Sequence, residues 1–180
     1  SSCSPKTAEK AISSVKHAEW SKNAVIYEVN VRQFSKEGTF KAFETQLPRL
    51  RELGVDILWF MPIYPIGETD RKGPLGSYYS IKDYKSINPE FGSMDDFRDV
   101  VDEAHRLGMK VIIDWVANHT SRDAKWISTN PEWYVIDSTT KKPVTPFDWT
   151  DVAKLDYSNT GMRTAMLEAM KFWVEEAKID

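Results

Sequence analysis

Asp114, Asn118 and His119 follow closely on the apolar run Val111-Ile112-Ile113, with Trp115, Val116 and Ala117 between them. A carboxylate accepts hydrogen bonds, an amide both accepts and donates, and an imidazole changes charge near neutrality. An unbroken aliphatic run suits a strand covered on both faces, as in a parallel sheet. Polar groups gathered where such a strand ends are how a barrel enzyme places its site residues. The competing reading is a buried strand with a polar exit.

The flanking segments supply the elements needed to hold those residues. Val25–Val31 is rich in β-branched residues and reads as a first strand. Thr39 is placed to cap a helix whose core stripe is Phe40, Phe43, Leu47, Leu50 and Leu53 and which stops at Gly54. Pro48 lies inside that stripe and predicts a kink or break. Val55–Met61 reads as a second strand, followed by a long loop, Tyr64 to Ser80, rich in Gly and Pro. Ser93 and Asp96 have capping-box spacing ahead of an amphipathic helix that ends at Gly108. His105 falls off its apolar stripe and reads as solvated. The third strand is Lys110–Val116. Residues 120–157 lose periodicity and read as an inserted subdomain of short strands. Ser158 or Asn159 then caps a last helix, and Ile179-Asp180 looks like the start of a fourth strand. The boundaries drawn are a tail over 1–22, barrel strands over 23–119, the insert over 120–157, and helix plus strand start over 158–180.

Alternation of strand and helix is the grammar of a parallel α/β sheet. No glycine-rich phosphate loop follows the first strand, which favours a closed barrel over a nucleotide-binding open sheet. A (β/α)8 TIM barrel needs about 250 residues, so the 180 residues supply three units and the opening of a fourth. The formal net charge is −3 with no basic run, which argues against a nucleic-acid partner. No stretch approaches the length of a membrane span. Aromatic residues make up 12% of the chain, a supply that suits sugar binding as well as a core. One cysteine, Cys3, excludes an internal disulfide. Its setting, Ser1-Ser2-Cys3-Ser4-Pro5, resembles the mature edge of a bacterial lipoprotein. Two readings stand, a lipid anchor on an extracytoplasmic protein and a free thiol on a tail.

From about Asn23 to Asp180 the residues resemble the α-amylase family of retaining glycoside hydrolases. Asp114-Trp-Val-Ala-Asn118-His119 is similar to that family's first signature, at the end of the third barrel strand. Gly92-Ser-Met-Asp-Asp-Phe through Gly108-Met-Lys resembles the helix leading into it. Tyr78-Tyr79-Ser80-Ile81-Lys82-Asp83-Tyr84 resembles the Gly-Tyr-Asp-x-x-Asp-Tyr stretch, and Tyr27-Glu-Val-Asn-Val-Arg-Gln-Phe the first strand. The resemblance implies cleavage or transfer of α-linked glucosyl units, by a nucleophilic carboxylate and a carboxylic acid about 5–5.5 Å apart. It places those carboxylates after the start of the fourth strand, so no catalytic residue is assigned up to Asp180. It gives Tyr79 and His119 substrate-binding roles, against the alternatives of a loop-anchoring aromatic and a core histidine. Asp114, Asn118, Asp83 and Tyr84 are expected to brace the site. Ser80 stands where many chain-end-acting members carry an Asp, which leans towards an open, internally cutting cleft. The family's Leu-Pro-Asp-Leu-Asp signature reads Val152-Ala153-Lys154-Leu155-Asp156. Lys154 replaces an expected calcium ligand and cannot ligate a cation that needs oxygen donors, so no cofactor or metal is expected. The implied partners are an α-glucan and the remainder of the barrel. A transglycosylase or isomerase of the family, or a non-catalytic relative, would carry the same residues.

Overall fold

The computed structural model describes residues 16–180, so Cys3 and the tail before Lys16 lie outside the described residues. Three short strands, β1 (Ile26–Val29), β2 (Ile57–Phe60) and β3 (Lys110–Ile113), form one parallel sheet in chain order. Ile26 pairs with Ile57, and Ile57 with Lys110, so the strands start level and their carboxyl ends share one rim. All three are shorter than their apolar runs. β1 ends because Asn30 caps a helical turn, α1 (Val31–Phe34), accepting from the Gln33 amide. β3 ends at Ile113, although the Asp114 amide still donates to the Phe60 carbonyl at 2.8 Å.

The first crossover is broken where proline predicts it. Helix α2 (Phe40–Glu44) is capped by the Thr39 hydroxyl, and α3 (Leu47–Leu53) restarts with Pro48 in its first turn, where a missing N–H costs nothing. Gly54, at φ 102°, turns the chain out of α3 in a left-handed conformation that a β-carbon would strain. The second crossover is α4 (Met94–Arg106), with the full capping box. The Ser93 hydroxyl accepts from the Asp96 amide, and the Asp96 carboxylate from the Ser93 amide. Phe40, Phe43, Phe60 and Phe97 meet largely edge to face between these helices and the sheet. The last helix, α6 (Thr160–Glu176), is capped by Asn159 and buries Met162, Met166, Ala169 and Trp173.

His105 is not simply solvated. Its Nε2 lies 2.6 Å from the Asp180 carboxylate, which also accepts from the Val111 amide and pairs with Lys110. The Asp180 amide donates to the Val111 carbonyl at 2.8 Å, so the chain after α6 returns beside β3, where a fourth strand belongs.

Between β3 and α6 lies a second, antiparallel pair, β4 (His119–Ser121) with β5 (Val152–Lys154). A short helix, α5 (Lys125–Thr129), and irregular chain fill the span between them. Arg122 holds that span together by donating to the Thr150 carbonyl and to the Thr145 hydroxyl.

Candidate active site

His119 is the first residue of β4, not the tip of β3, because the chain leaves the parallel sheet at Asp114 and turns through Trp115–Asn118 before pairing again. Tyr84 fixes that turn. Its buried hydroxyl lies 2.6 Å from the Val116 carbonyl and 2.8 Å from the His119 carbonyl, and its own carbonyl accepts from the indole N–H of Trp173. His119 is 6% exposed. Its Nε2 is 3.0 Å from the Tyr79 carbonyl and its Nδ1 is 3.0 Å from the Asn118 amide nitrogen. A carbonyl only accepts, so Nε2 carries the proton and Nδ1 takes one from Asn118, the neutral tautomer. Burial pushes the His119 pKa down, against the Tyr79 carbonyl and the Asp151 charge, which pull it up.

The loop after β2 is drawn back onto this corner. Ile66 bridges Ile81, the Gly67 amide donates to the Ser80 carbonyl, and the Ser121 amide donates to the Ile81 carbonyl. Gly67 lies so close to Ser121 that a β-carbon would meet its side chain and approach Asp123 Oδ1 to 2.8 Å. The Tyr79 ring, 38% exposed, stands on the outer arm of this loop, its hydroxyl donating to the Asp114 carboxylate at 3.1 Å. Burial first, and Asp114 second, push that hydroxyl's pKa up to about 12, so Tyr79 is neutral and a donor near pH 7. The backbone carbonyl of Asp114 accepts from Tyr64 at 2.7 Å. Asp114 is thus held at both ends.

Tyr79 and His119 line one hollow of about 340 Å³, with Ser77, Trp149, Asp151 and Val152, and with Lys72 at its mouth. Trp149 and Asp151 both come from the aperiodic stretch, where no periodicity marks them. The only signal for them is Asp148-Trp-Thr-Asp151 in a loop behind Pro146. The Trp149 ring meets the imidazole edge to face at 5.6 Å, and Phe147 leans on Trp149 at 4.8 Å. Asn118 reaches the hollow only through His119. Asp83 and Tyr84 do not line it. They border another hollow of about 300 Å³, and Asp83 shapes its loop by accepting from the Lys85 amide and the Ser86 hydroxyl. Ser80 is also buried, its hydroxyl on the Asp151 carbonyl at 3.3 Å.

The donor set does not fit calcium at the place where the resemblance puts it. Lys154 sits opposite His119 in the β4–β5 register, and the Asp156 carboxylate is taken by the Ser158 amide and hydroxyl. An ammonium supplies no oxygen donor.

A family model described as "Alpha amylase, catalytic domain" matches residues 14–152. Trehalose synthase of Thermus thermophilus is 42% identical over 68% of this chain and 13% of its own length. Alpha-amylase 3 of Dictyoglomus thermophilum is 31% identical over 87% of this chain and 35% of its own length. Two crystal structures superpose closely. An α-amylase from Lactobacillus plantarum has a TM-score of 0.83 at 44% identity, covering 85% of this chain and 36% of that one. A maltogenic α-amylase, AmyB, from Thermotoga neapolitana has 0.85 at 39%, covering 89% and 38%. The chain therefore spans about a third or less of the length of these relatives. With its parallel strands, crossover helices and antiparallel excursion after β3, it has the fold of the first part of their TIM barrel, and it belongs to the α-amylase family.

Proposed function

We propose that the protein carrying this chain cleaves or transfers α-linked glucosyl units with retention of configuration, and that this part of it supplies one wall of the sugar site. The observation that carries the reading is the shared hollow of Tyr79 and His119 near the carboxyl rim of the parallel sheet. An aromatic face suits the C–H face of a sugar, and the imidazole N–H, given to the Tyr79 carbonyl until a hydroxyl acceptor displaces it, suits its edge. Asp114 is a brace, since its carboxylate already takes the Tyr79 hydroxyl. The nucleophile and acid of the retaining mechanism, about 5–5.5 Å apart, are assigned to the barrel strands that follow β3.

In the full-length protein, α-configured sugars should be released from maltooligosaccharides. His119→Ala should lower kcat/KM by about 10²-fold or more when assayed below its Tm, which the lost Tyr79 and Asn118 bonds lower, because a bond that tightens as charge develops is lost. Wild-type protein inert on every α-glucan, or an unchanged His119→Ala enzyme, would overturn the reading. The 42% identity to a trehalose synthase supports a second outcome of the same chemistry, transfer back to sugar. Trehalose in place of free glucose among the products would select it.

A further inference from the structure

Building on the proposed sugar site, we infer that Arg32 is a positioning residue for it: the guanidinium, laid on the Tyr78 ring and paired with Glu90, fixes the segment that presents Tyr79 to a sugar. Arg32 does not line the hollow. It stands in α1, the single turn that closes β1, on the same rim of the sheet. Its guanidinium carbon lies 4.5 Å from the centre of the Tyr78 ring, inside cation–π range. One Nη donates to the Glu90 carboxylate at 2.7 Å. Glu90 is itself fixed, because its amide donates to the side chain of buried Asn88 at 3.0 Å. The Tyr78 hydroxyl lies 3.3 Å from the side chain of Asn30, which caps α1. Among the described residues no other hydrogen bond joins 30–34 to 76–79. Tyr78 is thus gripped on its face and at its tip by the chain leaving β1, and Tyr79 is the next residue.

That grip is made at a cost to the fold. The Arg32 side chain is 19% exposed, and its Nε is buried without an acceptor among the described residues. Burying a charge with one donor unpaired disfavours folding. An apolar side chain would fill the same space without that penalty. A cation kept there against stability marks a group held for function, and its flat face lies on the ring next to Tyr79. The Tyr79 carbonyl holds the His119 N–H only until a hydroxyl takes it. The hold on Tyr78 does not pass through His119, so it keeps Tyr79 in place while sugar is bound.

The test measures KM and kcat of the full-length enzyme on maltoheptaose for Arg32→Met, Tyr79→Ala and the double variant. Arg32→Met should raise KM about tenfold, with kcat within about threefold. Tyr79→Ala should raise KM at least as far, and the double variant should lie within about twofold of Tyr79→Ala, since Arg32 acts through that ring. Loss of folded enzyme alone would lower kcat and leave KM where it was, so an unmoved KM in Arg32→Met overturns the inference. Rises that multiply in the double variant overturn it as well. Arg32→Lys keeps a cation beside Glu90 but loses the flat fork, and should raise KM about fivefold. If Arg32→Met does not fold, a change below about twofold in Arg32→Lys overturns the inference. Each of these results leaves the proposed activity intact. An inert wild-type enzyme, or an unmoved KM in Tyr79→Ala, would instead sink the sugar site itself and the inference with it.

Discussion

The imidazole of His119 is the most constrained group in the site. It is buried, neutral, and engaged at both nitrogens, with burial as the main force holding its pKa below the usual 6.5. A folded-state pKa below the unfolded value means that the unfolded chain binds the proton more readily. The neutral imidazole therefore disfavours folding in acid. Its contribution is whole above about pH 6.5 and is lost as pH falls through the interval down to the lowered value. Thermal melts of the protein between pH 7.5 and 5 should show Tm falling over that interval. His119→Gln, which does not titrate, should flatten that part of the curve, and an unchanged slope would reassign the titration elsewhere.

At the scale of elements, the site depends on how closely the loop after β2 is pressed against β4. Gly67 permits that approach, because the Ser121 side chain occupies the space of a β-carbon. Gly67→Ala should cost about 1–3 kcal/mol, the usual range for overpacking a tight contact, read as a lower denaturant midpoint. A neutral result would mean that the loop yields freely. This contact was invisible in the sequence, where Gly67 was one of several loop glycines. Capping and crossover were legible because they are local: Ser93 with Asp96, Thr39, Pro48 and Gly54 all act within a few residues of themselves. The pairing of His105 with Asp180 spans 75 positions and leaves no periodic trace. The burial of Asp151 is equally non-local. Its burial comes from Lys72, Ser80 and His119, each brought in from another part of the chain.

At the scale of the molecule, among the described residues, β1 has a single strand partner and β3 is joined on its outer side by Asp180 alone, so both edges of the parallel sheet are open there. Val25, Ile26 and Leu53 near one edge, with Leu167, Met170 and Val174 on α6, are all at least 44% exposed. Exposed strand edges and apolar faces of this kind recruit other chains. The 180 residues expressed alone should self-associate at micromolar concentration in sedimentation velocity, and a monodisperse monomer with a sharp cooperative melt would contradict that. Within the same fold, the Tyr79 carbonyl receives the His119 N–H while the Tyr79 ring forms the facing wall. A hydroxyl arriving from solvent that claims this proton takes one of the loop's holds, while the Tyr79–Asp114, Gly67–Ser80 and Ser121–Ile81 bonds keep the wall in place.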